Sequence, residues 1–175
     1  MFLIVGLASS DPAGGGTATA DVIEALSGID FLPGAATLSA ILGGDLTTLV
    51  AVANGDGDPG VRVRAYRSLG QFNEPAARQG LKTGIDRYRS EQSGTNSLYL
   101  AAAAEGLGQI ADPGDVSTLG PLLDAPSRDV RVVAARALGR IGDPASCALL
   151  RLRRDVEQVE QVQIEVDEAA ATCAP

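Results

Sequence analysis

Leu69-Gly70-Gln71-Phe72-Asn73-Glu74-Pro75, Leu107-Gly108-Gln109-Ile110-Ala111-Asp112-Pro113 and Leu138-Gly139-Arg140-Ile141-Gly142-Asp143-Pro144 align without gaps, and their agreement decides the fold. Upstream the match continues at fixed offsets. Val61, Tyr99 and Val130 stand eight residues before the Leu, and Ala65, Ala103 and Ala134 stand four before it. The glycines recur 38 and 31 residues apart, a spacing typical of helix-pair repeats. Val, Ala and Leu at four-residue intervals put one apolar stripe on a helix. The small Ala lets a neighbouring helix come close, and the Gly after the Leu points to further close packing near the helix end. The closing Asp-Pro or Glu-Pro starts the next helix, because a carboxylate caps free N–H groups and Pro is tolerated in the first turn.

Working outward, the pattern predicts helix, turn, helix, repeated. Helix A of the first clear repeat covers 45–54 and helix B 60–72, separated by the breaker Asp56-Gly57-Asp58-Pro59-Gly60. The second pair covers 75–90 and 96–110, joined by the polar stretch Glu91-Gln92-Ser93-Gly94-Thr95. The third covers 114–124 and 129–141, with Pro126-Ser127-Arg128-Asp129 between them. A fourth helix A runs from Pro144 to Arg154, and shorter helices over 20–28 and 34–42 cover the upstream end. In 156–172, Val159, Val162, Val166 and Ala169 keep helical spacing, whereas Val162, Ile164 and Val166 alternate as in a strand. Helix is the expectation, since a helix B is due and a lone strand has no partner.

Composition narrows the chemistry. Of 175 residues, 45% are hydrophobic but only 3% aromatic, with no Trp, so the core is aliphatic. No His is present, which removes the commonest general base and metal ligand together. Two cysteines far apart make no zinc or thiol-redox motif. Gly14-Gly15-Gly16 lacks the Lys-Ser/Thr of a phosphate loop. The expectation is therefore no enzyme, no cofactor and no metal. A formal charge of -8, from 14 basic and 22 acidic residues, argues against nucleic acid and against an anionic membrane surface.

The N-terminal run Phe2 to Ala8 is apolar but far too short to span a bilayer. Ala18-Thr19-Ala20 looks like a small-residue cleavage site, yet no Lys or Arg precedes Arg62. Residues 1–19 are thus read as a flexible tail or the remnant of an export signal, and 20–175 as the repeat domain. Cytoplasmic and exported locations both stay open. Cys147 falls in the last helix A and Cys173 near the end of the closing helix B. Antiparallel packing brings the two together. They form a bridge clipping the last repeat if the protein is exported, or are two unpaired small apolar residues otherwise.

Asp58-Pro59-Gly60-Val61-Arg62 through Leu69-Gly70, and Asp129-Val130-Arg131 through Pro144, resemble the bacterial HEAT-like repeats, including those of phycobilisome lyases. The resemblance covers residues 45–155. It implies an all-α, right-handed α-solenoid of about four antiparallel helix pairs whose B helices line the concave surface. It also implies that Arg62 and Arg131, with Asp58 and Asp129, form a ladder between adjacent repeats. The second copy departs from the pattern, with Tyr99-Leu100 in place of the Val-Arg pair. The function implied is a scaffold or complex subunit for protein partners. The alternative is a lyase-like accessory protein, for which the residues offer no chromophore site.

Arg64, Arg67, Arg136 and Arg140 flank the helix-B stripe, with Tyr66 beside them, and Tyr99 takes a core position. This row is either a solvated face or a positive strip receiving acidic groups of a protein partner, since Arg pairs with carboxylates in two-point geometry. Asp58, Asp112, Asp129 and Asp143 read as caps, and Glu105 and Asp115 as carboxylates of the same kind. Arg151, Arg153 and Arg154, followed by Asp155, Glu157 and Glu160, read as a solvated helix end.

Overall fold

A computed structural model of the chain describes residues 14–28 and 31–173. The apolar run Phe2–Ala8 and the rest of residues 1–13 lie outside the described part. Ten α-helices and no strand occur among the described residues. They are α1 Gly14–Ser27, α2 Ala35–Leu42, α3 Thr47–Asn54, α4 Pro59–Leu69, α5 Pro75–Tyr88, α6 Thr95–Ile110, α7 Val116–Leu119, α8 Arg128–Ile141, α9 Pro144–Arg154 and α10 Glu160–Ala171. The chain is an α-solenoid of helix pairs. The B helices α4, α6, α8 and α10 pack successively against one another, while α3, α5 and α9 pair antiparallel with them on the other side.

The helix starts follow from their caps. Asp58 accepts from the Val61 N–H at 3.0 Å, and Asp143 accepts from the Ser146 N–H at 2.8 Å, each directly before a Pro in the first turn. Two spans differ from the expectation. The third helix A is not continuous over 114–124 but a single α-turn, α7, between 3₁₀ turns Pro113–Asp115 and Gly120–Asp124. Pro121 lacks the N–H that would bond the Ser117 carbonyl and its ring crowds that turn, so the helix tightens there. At the upstream end α1 begins at Gly14, inside the stretch expected to be a tail, and packs against α3 and α4.

The closing segment is helical. In α10, Val162, Val166 and Ala169 are buried while Ile164 is 54% exposed, a distribution that alternation of a strand cannot give.

The Leu-Gly signature acts between successive B helices. A Cβ built on Gly70 would stand 2.6 Å from the Gly106 Cα, one on Gly108 2.4 Å from the Ala137 Cβ, and one on Gly139 2.8 Å from the Ala169 Cβ. Each Gly thus faces the small residue just before the Leu position of the next B helix. By this register the fourth copy runs through Val162, Val166 and Ala170, which the Leu-Gly pattern alone did not reveal.

Cys147 and Cys173 are joined in a disulfide with a Cα–Cα distance of 5.7 Å, which ties the start of α9 to the segment just after α10. Of the two readings left open by the sequence, the structure takes the bridge.

Three substitutions report on this packing. Gly108→Val forces α6 and α8 apart and is expected to cost about 3 kcal/mol, a fall in Tm of roughly 6–12 °C by calorimetry. Ala111, the one non-glycine residue with positive φ (55°) among the described residues, occupies the αL position that Gly142 fills in the next copy. Ala111→Gly should therefore raise Tm by about 2 °C. Opening the disulfide, which closes a separation of 26 residues, should remove about 3 kcal/mol, read as the Tm difference between oxidised protein and Cys147→Ala/Cys173→Ala.

Candidate functional site

The outer surface of the B helices is built from two rows one helical turn apart. Two residues before the Leu position stand Arg67, Glu105, Arg136 and Glu168, so the charge alternates in sign from helix to helix. Six before it stand Val63, Ala101, Val132 and Ile164, an apolar row, partly buried except for Ile164. Both rows recur because the Gly contacts hold successive helices in one register.

The charged row is knitted together. Arg67 donates from Nε to Glu105 Oε2 at 2.8 Å, with both side chains substantially exposed. Arg136 donates from Nη2 to Glu165 Oε2 at 2.5 Å, and Glu165 is buried. Although burial works against it, the bond to Glu165, with Glu105 and Glu168 nearby, holds the Arg136 guanidinium above its ordinary pKa. Between α8 and α10 a depression of about 320 Å³ is walled by Arg136, Arg140, Glu165, Glu168 and Thr172.

The structure divides the residues expected on this surface. Arg67, Arg136 and Arg140 are exposed. Arg64 is half-buried and donates from Nη1 to the Leu26 carbonyl at 3.1 Å, tying α4 to α1. Tyr66 offers no contact surface: it is 0% exposed, its hydroxyl donates to Asn54 Oδ1, and burial pushes its pKa up to about 12. The strip is therefore not uniformly positive. Glu105, Glu165 and Glu168 interrupt it, and no motif in the sequence marked them as part of it.

The residues expected as ladder and caps also divide. Arg62 is buried, donates to the Ala53 carbonyl at 3.3 Å and to the Tyr88 hydroxyl, and lies 4.0 Å from the Tyr99 ring centroid. Arg131 donates to the Ala125 carbonyl at 2.9 Å and to both oxygens of Glu157. Both arginines join repeats, but to a residue 26 positions downstream and not to Asp58 or Asp129. Asp58, Asp112 and Asp143 accept backbone N–H bonds as caps. Asp129 does not: Ser127 holds the N-cap position of α8, and Asp129 points outward to Arg128 at 3.3 Å. Asp129 lies inside the first turn, where its carboxylate turns to solvent and accepts from none of that turn's free N–H groups.

Two carboxylates, Asp115 read as a cap and Glu157 read as part of a solvated helix end, are interior. Asp115 is 0% exposed, gripped by Arg78 at 2.9 Å and Lys82 at 2.6 Å from α5. Glu157 takes Arg131 from one side and Arg153 from the other, while Arg153 also reaches Asp124 at 2.7 Å. These are clamps between repeats, not acid–base pairs. Among the described residues no group of His, Cys, Asp and Glu is placed to hold a metal ion, and no single helix is long and apolar enough to cross a membrane.

Comparison with protein families matches residues 91–171 to HEAT repeats. The match spans α6 to α10, and so includes the closing helix that the sequence resemblance left out. No curated protein matches the chain.

Glu157 makes the clamp sensitive to acid. Burial alone would raise its pKa, but hydrogen bonds from Arg131, the Val159 N–H and Arg153 outweigh that and lower it from 4.5 to about 2. A carboxylate depressed in the folded state stabilises above its unfolded pKa and loses that contribution as pH falls through the folded one. Unfolding free energy should thus drop from about pH 5 to pH 2. Glu157→Gln, less stable at pH 7 because it strands two arginines, should show a flatter decline over the same window in urea titrations.

Proposed function

We propose that this HEAT-repeat chain is a non-catalytic scaffold that holds a protein partner with an acidic contact surface across its B-helix face. HEAT repeats generally mediate protein–protein interaction. The observation that carries the reading here is that Arg67, Arg136 and Arg140 are exposed on one face of an acidic molecule, beside an apolar row. Each arginine held by a neighbouring glutamate is already positioned, so less conformational freedom is lost when a carboxylate docks. Such charges steer a partner and fix its register more than they supply affinity. The net charge of -8 makes nucleic acid a poor competitor for the same face.

The clean test reverses Arg67 and Arg140. Arg136 is left alone because its partner Glu165 is buried and a reversal there would leave a carboxylate stranded. Arg67→Glu/Arg140→Glu should keep Tm within about 3 °C of the parent, since exposed pairs contribute little. Proteins captured from the native source by the tagged parent should be lost at least tenfold from the variant at low salt, and less so as salt rises. Undiminished capture at low salt by a folded variant overturns the assignment of this face.

A further inference from the structure

We infer that the partner crosses the B helices as an extended segment whose charges alternate, acid, base, acid, above Arg67, Glu105 and Arg136; this rests on the B-helix face being the contact surface. The alternation is set by three helices in sequence, α4, α6 and α8, at the same position of the repeat. An all-acidic segment matched to the arginines would bring a carboxylate over Glu105, whose side chain is 34% exposed, and be repelled there. A base at that point meets Glu105 instead.

The donors left over suit this arrangement. Arg67 uses only Nε on Glu105, so its two Nη groups stay available to an incoming carboxylate. Arg136 uses Nη2 on Glu165, leaving Nε and Nη1. Glu105 accepts on Oε2, leaving Oε1 for a base.

The spacing comes from the packing. Helices in contact lie about 8–10 Å apart, and an extended chain in the polyproline II conformation advances about 3.1 Å per residue with about three residues per turn, so every third side chain falls on one face and roughly three residues correspond to each helix. The matching pattern is acid-x-x-base-x-x-acid. Apolar residues in the x positions would meet Val63, Ala101 and Val132 one turn away.

The test uses fluorescein-labelled nine-residue peptides, too short to hold a helix in water. Three share one background: Glu-x-x-Lys-x-x-Glu, Glu-x-x-Gln-x-x-Glu and the charge-swapped Lys-x-x-Glu-x-x-Lys. By anisotropy at low salt, the alternating peptide should bind about fivefold tighter than the Gln peptide, the scale of one exposed ion pair, and about tenfold tighter than the swapped one. Glu105→Gln should abolish the preference for Lys over Gln while both peptides still bind. Equal or tighter binding of the Gln peptide, equal binding of the swapped peptide, or no binding of any overturns the inference. Failure of the underlying face reads differently: Arg67→Glu/Arg140→Glu then captures partners as the parent does, whatever the peptides show.

Discussion

The distance between successive B helices is the constraint on which the rest depends. Gly70 against Gly106, Gly108 against Ala137 and Gly139 against Ala169 allow backbones to approach where a larger side chain has no room. Once that approach is fixed, the Val, Ala and Leu stripe of each helix is pressed into the interior, and Ala65, Ala103 and Ala134 are fully buried with it. Small residues contribute little area each, so the core gains its cohesion from density of contact and from the leucines beneath, such as Leu49, Leu81 and Leu107. The same rule reaches into the A layer. Gly84 makes room for the Tyr66 ring, whose Cε1 would stand 2.5 Å from an added Cβ, and Gly80 does the same for Val50.

A second device ties the layers together. Arg62 and Arg131 each reach back to carbonyls at the end of the preceding helix A, Ala53 in one case and Ala125 with Pro126 in the other. These are groups a helix end leaves without intrahelical partners, and a buried cation satisfies them. The two sites then complete the guanidinium differently. Arg131 takes the carboxylate of Glu157, whereas Arg62 takes the Tyr88 hydroxyl and the faces of Tyr88 and Tyr99. The irregular second copy has its explanation here: Tyr99 stands at the Val position because Arg62 of the copy before it needs a ring to lie on. The Glu157 carboxylate, held well below its ordinary pKa by these bonds, makes the C-terminal clamp weaken in acid.

What could be read from the sequence was whatever repeats. Leu-Gly with Asp-Pro or Glu-Pro behind it marked three B helices and the starts of the following A helices, because capping and close packing each demand particular residues at particular offsets. The fourth copy was less legible, since Ala170-Ala171 replaces Leu-Gly and small residues in general meet the same steric need. Long-range pairings were hidden for another reason: 26 residues separate Arg131 from Glu157 and 37 separate Arg78 from Asp115, and nothing local distinguishes a carboxylate bound for a clamp from one bound for solvent. Tyr66 was misplaced because its burial is decided by Gly84 on another helix. The break at Pro121 was in plain view, and the apolar spacing around it masked its effect.

The candidate surface follows from the seam as well. Positions facing the next helix are confined to Gly and Ala, and those facing helix A to aliphatic residues, so the outer position two before the Leu is where side-chain identity is least constrained by packing. Arg, Glu, Arg and Glu occupy it in turn. Exposed pairs such as Arg67–Glu105 add little to stability, so folding alone gives weak reason for long charged side chains at all four positions. Under the proposed contact role, their placement on a rigid ladder gives a reason. Helices locked at one separation hold charges at one separation, and a partner with matching spacing meets them without the protein having to rearrange.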